Sequence, residues 1–301
     1  HLPHATSLRM GRLGYQSDAQ SALAVSYNSL KGYAASLHQA LTQAYPAYDA
    51  IGLRDEHGHY KQLSTSLLQI ENEFYSTIRP KRVIQSGERP LHALRERGVE
   101  YVEVRCMDLN PFLPVGIDAA TIRFLDVFLL HCLLLPSPAD TPDEIAALAR
   151  NQQAVAARGR EPGLRLERLG DHMALVDWAQ EILTECVPIA QTLDRLQGSQ
   201  ANLDAVHMAS RRMQDFSLMP SAQVLQAMQP FKQRGHTGFT LARSEQNRTA
   251  MMAQDWPASA HQRFVQEARV SMQEQIQIES ADTRSFEAFR QDYLSPQHLV
   301  V

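Results

Sequence analysis

Apolar and polar positions divide the chain near residue 115. Before it, several short stretches alternate with period two. After it, apolar residues recur at spacings of three and four. Gly98-Val99-Glu100-Tyr101-Val102-Glu103-Val104-Arg105-Cys106-Met107-Asp108 alternates most clearly and predicts a strand. One face would carry Glu100, Val102, Val104 and Cys106, and the other Tyr101, Glu103 and Arg105. Side chains two residues apart on a strand point the same way and stand about 7 Å apart. Leu67 to Tyr75 reads alike, with Leu68, Ile70 and Phe74 behind and Gln69, Glu71, Glu73 and Tyr75 in front. It runs into Arg79-Pro80-Lys81-Arg82. Such polar fronts can be solvated outer faces of a sheet. They can equally form a site, since carboxylates hold Mg²⁺ and Arg or Lys hold phosphate or carboxylate oxygens.

Other elements follow the same rules. Ser26 or Asn28 should cap a helix running to Gln43, with Leu30, Tyr33, Ala34, Leu37 and Leu41 as its buried stripe. Residues 48–63 predict a hairpin turning at Asp55-Glu56-His57-Gly58. Leu91 to Arg97 should be a short helix closed by Gly98. Asp118 should cap an apolar, centrally buried helix over 119–135. Thr141-Pro142-Asp143-Glu144 is a capping box opening a helix that ends at Gly159. Further helices are expected at 175–197, 201–214, 221–229, 239–253, 258–278 and 284–292. The resulting fold class is α+β. Residues 1–115 form the sheet-bearing part and residues 116–301 a helical portion packed on it as one structural unit.

Charge and composition narrow the chemistry. Twenty-nine basic residues against 33 acidic ones give no electrostatic footprint for nucleic acid. An anionic ligand therefore needs a local basic cluster. The longest apolar run, Phe124 to Leu135, contains Asp126 and His131 and is too short to span a bilayer, so no membrane partner is expected. Cys106, Cys132 and Cys186 are far apart and set in apolar sequence. That usage fits reduced thiols in a cytoplasmic protein. The start at His1, without a charged or apolar leader, reads as a chain entered mid-domain, hence a fragment of a longer protein. P-loop, dinucleotide-binding and Gly-x-Ser-x-Gly motifs do not occur.

Four segments together resemble the proteobacterial type of glutamate–cysteine ligase. They are Pro3 to Met10 with Leu13-Gly14-Tyr15; Leu68 to Glu73 with Tyr75 and Ile78 to Arg82; Gly98 to Arg105 with Asp108 and Asn110-Pro111-Phe112; and Gly159-Arg160 with Pro162-Gly163-Leu164. The resemblance implies a glutamine-synthetase-like curved antiparallel sheet, partial here, with a large helical C-terminal portion. It implies an enzyme that uses ATP and Mg²⁺ to join the γ-carboxylate of glutamate to the amine of cysteine through a γ-glutamyl phosphate, the first step of glutathione synthesis.

Residue by residue, the resemblance makes Glu103 a Mg²⁺ ligand and Arg105 the group that holds the transferring phosphoryl or the glutamate. Arg9 and Tyr15 would line the amino-acid pocket on the cysteine side. Tyr75, Arg79, Lys81 and Arg82 would be nucleotide-side contacts. The sequence departs from the family in lacking the substantial N-terminal part that supplies further strands and most metal-binding carboxylates. Cys106 also stands where a hydroxyl residue is expected, on the apolar face, which fits packing. Two alternatives stay open: an inactive C-terminal fragment needing an N-terminal partner, and a related ligase with another amine acceptor.

Overall fold

The computed structural model describes residues 2–14, 17–20, 23–231 and 233–295. Among these the order is α1 (Leu30–Thr42), α2 (Pro46–Ile51), β1 (Ile78–Lys81), α3 (Pro90–Arg97), β2 (Tyr101–Val104), α4 (Ala119–Leu134), α5 (Pro142–Arg158), β3 (Arg165–Arg168), β4 (Asp171–Ala174), α6 (Leu175–Gln197), α7 (Ala201–Gln214), α8 (Pro220–Ala227), α9 (Gly235–Met252), α10 (Ala258–Ala281) and α11 (Phe286–Tyr293). The fold is helix-rich α+β. Among the described residues the sheets are two antiparallel ribbons, β1–β2 and β3–β4.

Among the described residues two apolar cores form. The first joins Val25, the α1 stripe Tyr33, Ala34, Leu37, Ala40 and Leu41, the loop residues Leu68 and Phe74, and Leu91 and Leu94 of α3. The stripe is as expected, but the cap is Ser29, whose hydroxyl accepts from Gly32 N at 3.0 Å. The second core joins Val127 of α4, Leu183, Cys186 and Ala190 of α6, and Val206 of α7. Asp118 and Thr141 cap α4 and α5 as expected, by bonds to Thr121 N and Glu144 N. Helix α4 is not enclosed, however. Val127 and His131 are its buried residues, while Ile122, Leu133 and Leu134 are exposed.

Two predicted β elements are corrected. Residues 67–75 do not form a strand. Main-chain bonds from Leu67 and Leu68 to the carbonyls of Gln43 and Ala40 lay this stretch against the end of α1, and Glu71–Glu73 is a 3-10 turn. Its alternation arises because Leu68 and Phe74 fill the first core from opposite ends of a loop. Residues 48–63 are not a two-strand hairpin either: α2 covers 46–51, and a lone bridge joins Arg54 to Tyr60. The β3–β4 hairpin was not expected. It turns on Leu169 and Gly170, both at positive φ (51° and 82°), as a tight two-residue loop requires.

Buried charge fixes both cores. Glu71 meets Arg89 in a bidentate pair, with Nη2 to Oε2 at 2.7 Å and Nε to Oε1 at 3.0 Å. Both side chains are almost wholly removed from water. Arg89 Nη1 also donates to Tyr293 O at 2.7 Å, which ties α11 to the first core. In the second core, Asp194 near the end of α6 caps α7. Its carboxylate accepts from Asn202 N, Asn202 Nδ2, Leu203 N and Ser199 Oγ at 2.8–3.0 Å. Desolvation raises the pKa of Asp194, but these donors outweigh it and hold the value at about 2.

Removing one partner of a buried ion pair strands the other charge. Glu71→Ala or Arg89→Ala should therefore lower stability by about 3–5 kcal/mol in urea titrations, whereas Glu71→Leu with Arg89→Met should cost less. A double variant as damaged as the singles would contradict this. For Asp194 the folded pKa lies below the unfolded value of about 3.9, so its contribution is present above that value and is lost as pH falls toward about 2. Asp194→Asn should melt at a lower temperature than the parent at pH 6, with the gap narrowing between about pH 4 and pH 2. A gap independent of pH would contradict the capping role.

Candidate active site

The β1–β2 ribbon carries the candidate chemistry. Its register pairs Ile78 with Val104, Arg79 with Glu103, Pro80 with Val102, and Lys81 with Tyr101. Directly opposed residues of an antiparallel pair share a face, and so do residues two apart. Arg79, Lys81, Tyr101 and Glu103 therefore belong to one face, and Arg105 continues it. The ladder extends past β2 through Arg105 N, which donates to Thr77 O at 2.7 Å.

On that face the charges meet. Lys81 Nζ lies 3.2 Å from Glu103 Oε2, and Arg105 Nε lies 3.9 Å from Glu103 Oε1. All three side chains are half-buried, so ligand oxygens can reach them while neighbouring chain limits their hydration. A carboxylate between an ammonium and a guanidinium combines a metal-ligating oxygen with two groups suited to phosphate oxygens. Among the described residues no three His, Cys, Asp or Glu side chains converge on a point. Glu103 is thus the carboxylate this ribbon offers. One carboxylate fits Mg²⁺, which commonly takes one or two together with substrate phosphates.

The other expected residues are placed differently. Arg79 is buried, and its guanidinium donates to the carbonyls of Asn72 (2.9 Å) and Phe74, which fastens β1 to the loop before it. Arg82, just past β1, pairs with Glu100, Nε to Oε2 at 3.7 Å. Tyr75 is exposed, and its main-chain N–H donates to Gln20 Oε1 at 2.9 Å. Tyr15 lies outside the described residues. Glu71, read in sequence as part of a polar front, instead occupies the buried pair with Arg89. Cys106 packs as expected: it is buried, with Sγ 3.5 Å from Ser76 O.

Arg9 is an exposed residue of a partly buried strap formed by residues 3–10. Thr6 N donates to Ala156 O at 2.9 Å and Thr6 Oγ1 to Val155 O at 2.6 Å. The strap thus pairs carbonyls of the last turn of α5, where intrahelical donors run out. Arg160 clasps it from the same side, with Nη2 to Pro3 O at 2.7 Å and Nε to Ala5 O at 3.3 Å. Gly159 permits this seating, since a Cβ there would stand 2.6 Å from Thr6 Cγ2. Asp108, three residues past Arg105, binds the other side of the strap. The family resemblance includes Asp108 and Arg160 but implies no role for either. Only the spatial meeting of segments about 100 and 150 residues apart discloses it.

Comparison with known proteins gives these segments a family. The family model described as glutamate-cysteine ligase matches residues 1–155. The glutamate–cysteine ligase of Pseudomonas fluorescens is 43% identical over 289 residues, covering 96% of this chain and 54% of that protein. The glutamate–cysteine ligase of Azotobacter vinelandii is 45% identical over 291 residues, again 96% and 54%. The chain spans about half the length of these curated relatives. Among solved structures, the glutamate–cysteine ligase of Francisella tularensis in complex with AMP superposes with a TM-score of 0.90 at 36% identity, covering 99% of this chain and 58% of that one. A bifunctional glutathione synthetase from Pasteurella multocida shares the fold at 21% identity and a TM-score of 0.53, over 80% of this chain and 26% of its own. With a family model matched over more than half its length, this chain belongs to the glutamate–cysteine ligase family.

Proposed function

We propose that the protein containing this chain joins the γ-carboxylate of glutamate to the amine of cysteine at the expense of ATP, the first step of glutathione synthesis, in the cytoplasm. The observation that carries this reading is the Lys81–Glu103–Arg105 cluster, held in one register on the β1–β2 ribbon of a chain of this family. The relative solved with AMP supports a nucleotide substrate. In this reading the ribbon is part of a curved antiparallel sheet of the glutamine-synthetase kind. Residues 1–115 and 116–301 act as one unit around it.

A γ-carboxylate oxygen attacks the γ-phosphorus of ATP, the bond to ADP breaks, and γ-glutamyl phosphate forms. The cysteine amine then attacks the acyl carbon, phosphate departs with the carbon–oxygen electron pair, and the amine releases a proton. Such transfers depend on positioning and on charge stabilisation more than on covalent help from protein groups. Arg105 holds the transferring phosphoryl or the glutamate. Lys81 receives phosphate oxygens on the same face, and Tyr75 and Arg82 flank it on the nucleotide side. Arg79, opposite Glu103 on that face, acts through the base of the ribbon, where its guanidinium is already bonded to main-chain carbonyls. Mg²⁺, when bound, would neutralise phosphate charge, and Glu103 is the residue offered to it. Arg9, with Tyr15, grips the amino acid on the cysteine side, because a guanidinium fork matches a carboxylate.

A second reading concerns these 301 residues in isolation. Val99, Val102 and Val104 are exposed along the ribbon, and α10 buries none of its side chains. Both features favour a sheet and helix layer completed by further chain, without which turnover would be absent.

The full-length protein should release ADP only when ATP, Mg²⁺, glutamate and cysteine are all present. Glu103→Ala and Arg105→Ala should each lower kcat by about 10²–10³-fold. Both side chains are partly solvated, so melting temperature should change little. Activity within tenfold of the parent in either variant would remove that residue from the mechanism. Faster turnover with another amine than with cysteine would identify a related ligase.

A further inference from the structure

Asp108 lies four residues past β2, and the proposed chemistry leaves its carboxylate unused. Its oxygens are already engaged. Oδ1 accepts from Leu8 N at 3.1 Å and from Arg9 N at 3.0 Å. Oδ2 accepts from the Ser7 hydroxyl, and Ser7 Oγ in turn accepts from Met10 N at 2.9 Å. Four consecutive residues of the strap are thus organised about one carboxylate. With both oxygens engaged in this way, Asp108 is poorly placed to ligate a metal. It is well placed to hold backbone.

The carboxylate reaches the strap because of how β2 ends. Cys106 adopts a left-handed conformation, φ 62°, directly after Arg105, and the chain turns there. Such a conformation is costly for a residue with a side chain and persists where its surroundings enforce it. Here Cys106 is buried against Ser76 O. Beyond Asp108, Pro111 and Phe112 are pinned to α9, where Arg243 Nε donates to Pro111 O at 3.1 Å and its guanidinium stacks over Phe112. Asp108 therefore projects from a segment fixed at both ends.

We propose that Asp108 is a positioning residue. By binding the main chain of Leu8 and Arg9, it sets the spacing between the Arg9 amino-acid grip and the Glu103–Arg105 end of the ribbon. Ser7 completes the clamp, and Arg160 with Gly159 holds the strap from the α5 side. The inference rests on the ligase reading above. It adds a cause for the alignment of two substrates whose reacting atoms must come within bonding distance.

Two variants test it in the full-length protein. Asp108→Ala removes all three acceptor bonds, and Ser7→Ala removes the hydroxyl link while sparing the two amides. Amide hydrogen exchange of Leu8 and Arg9 should accelerate in Asp108→Ala, while that of Thr6, bonded to Ala156 O, should not. In turnover, Asp108→Ala should raise the KM for cysteine about ten- to a hundredfold and leave the KM for ATP within about twofold. Ser7→Ala should move the cysteine KM the same way by a few-fold, which keeps the test open if Asp108→Ala folds poorly. Unchanged exchange at Leu8 and Arg9 would overturn the clamp. Faster exchange with unchanged KM values, or with cysteine and ATP affected equally, would overturn the positioning role. A parent protein with no glutamate- and ATP-dependent turnover would overturn the ligase reading itself, and the inference with it.

Discussion

The register of β1 on β2 is the constraint on which the site depends. Pairing Arg79 with Glu103 places Lys81 beside the same carboxylate and carries Arg105 onto the same face. Slipping one strand by a single residue would send its side chains to the opposite face and dissolve the cluster. The same register fixes where β2 ends. It therefore also fixes where Cys106 turns and where Asp108 meets the strap of Arg9. A four-residue ribbon does not hold such a register unaided. It is held by Arg79 bonded to the carbonyls before β1, and by α3, whose preceding residue Arg89 is locked onto Glu71.

Charge in this chain does two kinds of work, and burial separates them. Glu71 and Asp194 have their oxygens saturated by donors within the fold, so they stabilise it and are withdrawn from ligands. Glu103 stands half-exposed between two cations and keeps access to solvent. Asp108 lies between these cases: its oxygens bind backbone, yet the backbone it binds carries Arg9. A carboxylate can thus act at one remove, by fixing the main chain from which another side chain extends.

Periodicity made the helices legible. The spans of α6 and α7 follow directly from their apolar spacing, and those of α4 and α5 follow from Asp118 and Thr141. The strand of Glu103 was legible because β-branched residues alternate there with charge. Leu67 to Tyr75 misled because a loop that buries Leu68 and Phe74 mimics period two, and nothing local distinguishes Glu71 seeking Arg89 from Glu71 seeking a ligand. The β3–β4 hairpin was hidden because its turn places Leu169, not Asn or Asp, at positive φ. The Asp108 clamp was hidden by distance: a hydrogen bond spanning 99 residues leaves no periodic trace. Family resemblance supplied roles for Glu103, Arg105 and Arg9. It did not supply the physical links among them.

In the proposed reaction this ribbon serves phosphoryl transfer to a carboxylate. The most direct measurement uses glutamate labelled with ¹⁸O in its γ-carboxylate, turned over by the full-length protein with ATP, Mg²⁺ and cysteine, with the label followed by mass spectrometry. Attack of the carboxylate on the γ-phosphorus predicts one ¹⁸O atom in each orthophosphate released, with ADP unlabelled. Label recovered in AMP, or orthophosphate free of label while the amide product accumulates, would contradict phosphoryl transfer to the γ-carboxylate.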